Sequence, residues 1–168
     1  MKEVVRMDHS EDILKLLETD SRLTSKEVAI LLNLDEKLVA EIIKHLEDEK
    51  IIAGYHTIIN WEKTDDEYVS AMIEVRVTPQ RGQGFDRIAE KIYQFPEVKA
   101  MHLISGGYDY LVELKKAPMR QIANFVSSRL SVIDEVQSTA THVVLKRYKD
   151  HNTIFVKDDE DKRMVVSP

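Results

Sequence analysis

The stretch VKAMHLISGGYDYLVEL, residues 98–114, decides how the rest of the chain is read. Two apolar runs flank the pair Gly106 and Gly107, which predicts an antiparallel hairpin, because glycine enters positive φ at little cost. Asp109 breaks the pattern. It follows the pair between Tyr108 and Tyr110, where strand propensity favours apolar side chains. Two explanations are open at this level: an ordinary turn acid, or a carboxylate placed to meet a ligand.

Outward from the hairpin, residues 68–78 alternate around Val69, Ala71, Ile73, Val75 and Val77, a half-buried strand ended by Pro79. The segment RGQG at 81–84 reads as a turn. Phe85, Ile88, Ala89, Ile92 and Tyr93 then recur at helical spacing up to Pro96. Past Ala117-Pro118 a second helix is predicted through Ile122, Phe125, Val126 and Leu130, and 136–148 reads as a last long strand. The order βαββαβ is that of the ferredoxin-like split unit, an antiparallel sheet with both helices on one face. Ile73, Val75, Leu103, Val112 and Val144 are too apolar for all to face water, so self-association through the uncovered face is expected. In the tail, residues 153–156 (TIFV) are expected to pair at a sheet edge, ahead of a polar run at 157–163.

The first third of the chain is helical in period. Ser10 is expected to cap a helix with Glu11 and Asp12 in its first turn and Ile13, Leu14, Leu16 and Leu17 on its apolar side, ending near Thr19. Thr24-Ser25-Lys26-Glu27 is a capping box opening a short helix with Val28, Leu31 and Leu32 inward. After the break at Asn33-Leu34, Asp35 caps a third helix with Leu38, Val39, Ile42, Ile43 and Leu46 inward. This spacing describes a helix-turn-helix unit, or equally a three-helix bundle with no DNA role. Read as a recognition helix, it exposes Lys37, Ala40, Glu41 and Lys44, with His45 a further candidate. Residues 51–60 leave the helical period as a strand or extended linker, and the charged run 61–67 marks a hinge. The fold class is therefore α+β: a helix-turn-helix, winged-helix-like domain at 1–52, a linking strand and hinge at 53–66, a ferredoxin-like domain at 67–149 and a tail at 150–168.

Composition limits the function classes. The 168 residues are 43% hydrophobic and include no cysteine, which excludes disulfides, thiolate metal sites and cysteine nucleophiles. The charged start lacks an apolar h-region, and no run approaches the ~18 apolar residues of a spanning helix, so a soluble cytoplasmic protein is expected. The net charge is −6, and residues 1–60 hold eight Lys and Arg against thirteen Asp and Glu. A nucleic-acid partner usually brings a basic excess, so the composition argues mildly against one. The histidines at 9, 45, 56, 102, 142 and 151 lack metal-ligand spacing. No Gly-x-Ser-x-Gly elbow or His-Glu-x-x-His helix occurs. Asp109 and Glu113, four apart on one strand face, read as a binding acid and an exposed one rather than an acid/base pair. No enzyme, cofactor or metal is expected.

Together these residues resemble the Lrp/AsnC, or feast-famine, transcriptional regulators. The carriers are ILKLLETDSRLTSKEVA at 13–29, HLEDEKIIAGY at 45–55, ISGGYDYLVEL at 104–114 and STATHVVLKRYK at 138–149. The resemblance implies an N-terminal domain that binds double-stranded DNA through Arg22, Ser25, Lys26, Lys37, Ala40, Glu41 and Lys44. It implies a C-terminal domain that dimerises through its sheet, with dimers assembling into tetramers or octamers. A small effector, usually an amino acid, is then bound where dimers meet, by His102, Gly106, Gly107, Tyr108, Asp109, Thr139, Thr141 and His142. Backbone amides of the loop would take the α-carboxylate, and the acid would take the α-ammonium or a basic side chain. Where members commonly carry serine at the start of the recognition helix and arginines in its middle, this chain has Asp35 and Ala40-Glu41; the glycine usual before the linking strand is Lys50. Those departures leave a second expectation beside the first: an effector-binding multimer with a degenerate DNA head, acting through partner proteins or mixed multimers.

Overall fold

The computed structural model describes residues 2–64, 67–79 and 84–155. The expected turn at 81–84, apart from Gly84, lies outside them, as do Asp65 and Asp66 of the hinge, Val156 and the polar tail. The described residues pack as two units, one of 2–59 with 149–155, the other of those between Asn60 and Tyr148.

The first unit holds helices α1 (Lys2–Thr19), α2 (Ser25–Leu32) and α3 (Glu36–Asp48). Ser10 is not a cap. The helix begins eight residues earlier than Ser10, because residues 2–9 contain no glycine or proline and are rich in helix formers. The capping box of α2 is present as expected: the Thr24 hydroxyl accepts from the Glu27 N–H at 3.3 Å, and Glu27 Oε2 accepts from the Thr24 N–H at 2.8 Å. Asn33 ends α2 in the left-handed region (φ 54°), and Asp35 Oδ1 accepts from the Lys37 and Leu38 N–H groups at 3.0 and 3.1 Å. Val28, Ala29, Val39, Ile42 and Leu46 form the core with Ile13 and Leu17 of α1. Leu31, expected inward, is 59% exposed. An eight-residue helix makes two turns, and its buried row runs through 28, 29 and 32, which rotates position 31 outward.

The second unit is the expected βαββαβ: β1 (Ser70–Val77), α4 (Phe85–Tyr93), β2 (Val98–Leu103), β3 (Tyr110–Leu114), α5 (Met119–Phe125) and β4 (Val136–Val144). The sheet order is β2-β3-β1-β4, with every neighbouring pair antiparallel. Ala71, Ile73, Val75 and Val77 of β1 and Tyr110, Val112 and Leu114 of β3 are buried with Ile88 and Ile92 of α4 and Ile122 and Phe125 of α5. Ile73, Val75 and Val112 thus lie under the helices, each 0% exposed, and do not crowd the other face. By alternation and register that other face carries Met72, Glu74 and Arg76, Leu111 and Glu113, His102 and His142, a mixed polar surface. A period of two sends alternate residues of one strand to opposite faces, so Ile73, Val75 and Val112 give no apolar drive to self-association.

The second helix of this unit is α-helical only to Phe125; Val126–Leu130 is a π turn closed by the Ser131 N–H on the Val126 carbonyl at 2.9 Å. The wider turn keeps Leu130 on the same side as Phe125, so both reach the core. β4 stops at Val144 rather than near Tyr148, since Val144 pairs with Ser70, the first residue of β1, and beyond it there is no partner strand. Leu145 accordingly stands 95% exposed. Thr153–Ile154 does not join the sheet edge. It pairs with Lys149–Asp150 in a separate ribbon whose turn residues His151 and Asn152 have φ of 40° and 62°, the left-handed pair of a tight hairpin.

Candidate functional site

The exposed side of α3 carries Lys37, Ala40, Glu41 and Lys44, and Lys26 is exposed on α2 beside the half-buried Ser25. No carboxylate among the described residues pairs with Lys26, Lys37 or Lys44. Arg22 differs. Its side chain is 87% exposed, yet Nε and a terminal nitrogen donate to the two oxygens of Asp20 at 3.0 and 2.9 Å, and its backbone N–H donates to Asp20 at 3.0 Å. The Arg22 side chain, then its amide, hold the Asp20 carboxyl down to about 2. A guanidinium so engaged bidentately offers little to a phosphate. Asp20 was not expected in the site, although an acid two residues before an arginine in a tight turn is a readable signal.

A groove of about 250 Å³ opens on this unit, floored by Leu23 and Ile43 and lined by Ser25, Ala40, Lys44, Glu47 and Tyr55. Tyr55 donates its hydroxyl to Glu47 Oε1 at 2.7 Å. Neither residue was singled out in the sequence, since only the chain reversal after α3 brings them together.

In the second unit, residues 104–109 close the β2–β3 hairpin through the Ile104 N–H on the Asp109 carbonyl at 2.8 Å. Neither Gly106 nor Gly107 adopts positive φ, contrary to the hairpin expectation, because a connection of this length reverses with ordinary dihedrals. Both glycines are exposed; a Cβ on Gly107 would meet nothing within 4 Å, and one on Gly106 would meet only the Ile104 side chain at 3.7 Å. Asp109 is half-buried at the end of β1, where the ladder with β4 shifts register. Its N–H donates to the Val75 carbonyl at 3.0 Å, and its Oδ2 accepts from the Val77 N–H at 2.8 Å. The carboxylate thus stands in for the strand partner that β1 lacks there. Tyr110 next to it is buried and donates to the Phe85 carbonyl at 2.6 Å; burial, then the charges of Asp109 and Asp86, push its phenol up to about 12.

Thr139 pairs with Val75, as does Tyr110, so the register brings Thr139 to the same end of the sheet as the loop. Ser131, at the end of the π turn, sits with its hydroxyl 3.5 Å from that of Thr139. Thr141 lies further along, opposite Ile73. His142 and His102 face the other side of the sheet, opposite Met72 and Leu111, and His142 Nε2 is 3.2 Å from Glu74 Oε1. The eight expected effector residues therefore divide into a loop-end group and two histidines on the uncovered face. Among the described residues no three metal-ligating side chains cluster, and no helix is long and apolar enough to cross a membrane.

Residues 8–53 match a winged helix-turn-helix DNA-binding domain, and residues 70–154, half of the chain, match the Lrp/AsnC ligand binding domain. The chain belongs to the Lrp/AsnC family of transcriptional regulators. It is 46% identical over 158 residues to the HTH-type transcriptional regulator YugG of Bacillus subtilis, covering 94% of this chain and 95% of that one. It is 27% identical over 158 residues to the leucine-responsive regulatory protein of Escherichia coli, covering 93% of each. Among solved structures, a Neisseria meningitidis transcriptional regulator in complex with L-Met aligns at TM-score 0.66 and 26% identity, over 84% of this chain and 90% of that one. As an Lrp/AsnC member the protein is a DNA-binding transcriptional regulator with an effector-binding domain, and not an enzyme.

Proposed function

We propose that this regulator works in the cytoplasm as dimers and higher multimers whose DNA binding responds to an amino acid held where dimers meet. The observation that carries the effector site is the loop at 104–109. Neither glycine needs a special φ, a side chain on Gly107 would meet nothing within 4 Å and one on Gly106 would touch only Ile104, so the backbone there is open to close approach of a ligand. Amide groups so bared suit an α-carboxylate. Asp109 commits Oδ2 to Val77, and its Oδ1 has no partner among the described residues, which suits an α-ammonium. Thr139 lies at the loop's end of β4, with Thr141 further along the strand; His102 and His142 belong instead to the face through which protomers pair. Support from relatives is of the same kind: one similar regulator was crystallised with L-Met and another is named leucine-responsive.

A thermal-shift screen of the standard amino acids tests the assignment. Asp109→Asn keeps an oxygen for the Val77 N–H while removing the charge, so the responding amino acid is expected to raise the melting point of the wild type and not of the variant. An equal rise in both refutes Asp109 as the ammonium partner.

The head is assigned DNA contact through Ser25, Lys26, Lys37, Ala40, Glu41 and Lys44. The bidentate hold of Asp20 on Arg22, together with the acidic excess, favours a second reading, in which the head binds DNA too weakly to act alone and works within mixed multimers. The double variant Lys37→Ala/Lys44→Ala separates them. Under the first reading it weakens promoter binding and flattens the dependence of log K on log salt by about 0.9 per lost contact; an unchanged slope favours the second.

A further inference from the structure

Beyond α3 the chain folds back on the helix instead of leaving it. Lys50 adopts a left-handed conformation with φ of 58°, and the Ile52 N–H donates to the Leu46 carbonyl at 3.0 Å. This reversal lays Tyr55 against α3, where its hydroxyl meets Glu47 Oε1 at 2.7 Å. Both side chains line the groove that also exposes Ala40 and Lys44. An acid thus stands inside the surface offered to DNA, held by a residue of the linker.

Glu47 follows Lys44 by three residues, the spacing at which side chains on one helix meet. Turned toward Lys44, its carboxylate would neutralise that ammonium and set negative charge before an incoming phosphate. In the structure it does not: Lys44 is unpaired among the described residues, and Glu47 is bound by the phenol. The same bond, then burial, raises the Tyr55 hydroxyl above its ordinary value, so it stays protonated and donating at neutral pH.

We propose that Tyr55 is a positioning residue for DNA binding: its phenol occupies the Glu47 carboxylate and so keeps the Lys44 ammonium free for a backbone phosphate. This rests on the reading that the exposed side of α3 meets DNA.

The test is fluorescence anisotropy with a labelled duplex of the gene's own upstream region, titrated between about 50 and 200 mM KCl. Tyr55→Phe is expected to bind about threefold more weakly and to lose about 0.9 from the salt slope, the signature of one phosphate contact. Glu47→Gln is expected to bind at least as tightly as wild type, and adding Tyr55→Phe to Glu47→Gln should change nothing further. An unaltered Tyr55→Phe, or a double variant as weak as Tyr55→Phe, overturns the proposal, because a merely structural tyrosine would not be rescued at Glu47. Should Tyr55→Phe fail to fold by circular dichroism, a second comparison decides: any gain from Glu47→Gln must vanish in a Lys44→Ala background, and a gain that persists there overturns it. A wild type that binds no duplex defeats the reading of the α3 face, and this proposal with it; a wild type that binds beside an unaltered Tyr55→Phe defeats this proposal alone.

Discussion

Asp20 and Lys50 show how single residues tune the head. Asp20 remains ionised down to about pH 2 because Arg22 is bound to it. Its folded pKa lies below the ordinary aspartate value of 3.8, so the stability it contributes is present above that value and is lost only as pH falls toward 2. The clamp therefore stays closed at every physiological pH. Asp20→Asn removes the charge that holds Arg22, and the expected result is tighter DNA binding with a salt slope steeper by about 0.9, read by titration at several salt concentrations. Lys50 carries φ of 58°, a conformation that costs an L side chain about 1–2 kcal/mol and glycine much less. After the entropy glycine loses on folding, Lys50→Gly is expected to stabilise the head by about 0.5–1 kcal/mol, seen as a higher denaturation midpoint. The resemblance had flagged Lys50 as standing in a glycine position, and the structure supplies the reason such a position exists. Asp109 was equally visible as an anomaly, but its bond to the Val77 amide was not, since Val77 lies thirty-two positions away and meets it only through strand pairing.

Among elements, α4 is tied to the start of β4 by one ion pair. Glu135, 5% exposed, receives the Lys91 ammonium on Oε1 at 2.6 Å, while Oε2 has no partner among the described residues. The Lys91 hydrogen bond is the largest cause holding the Glu135 carboxyl below 4.5. A lowered carboxyl contributes stability above its unfolded value and loses it as pH falls, so this contact weakens below about pH 4.5. Lys91→Met leaves a buried carboxylate without its cation and is expected to lower the melting point by several degrees at neutral pH. Lys91→Met/Glu135→Leu should recover most of that loss. Elements were legible where local chemistry marks them: the capping box at Thr24, the Asp35 cap and the alternation of β1 all stand as read. They were not legible where partners decide them. β4 ends where β1 begins, the π turn at Val126–Leu130 satisfies the core position of Leu130, and Thr153–Ile154 found Lys149–Asp150 before any sheet edge.

For the whole molecule, the proposed pairing of protomers through the uncovered face of the sheet puts Leu111, which stands between His102 and Glu74 in the register, in the interface. Leu111→Lys is expected to leave the fold of the protomer intact, since the core lies on the other face, and to reduce the mass found by light scattering toward that of one chain. A multimer of unchanged mass places the interface elsewhere. Periodicity, caps and turn residues carried the α+β class, the βαββαβ order and the helix-turn-helix from the amino acids alone, because each depends on contacts within a few positions along the chain. Register, chain reversal and long-range hydrogen bonds settled the rest. They sent Ile73 and Val112 under the helices, parted His102 and His142 from the Asp109 loop and laid Tyr55 on Glu47. Which strand face is covered, and which amide the Asp109 carboxylate meets, depend on residues remote in sequence, and no local pattern encodes those distances.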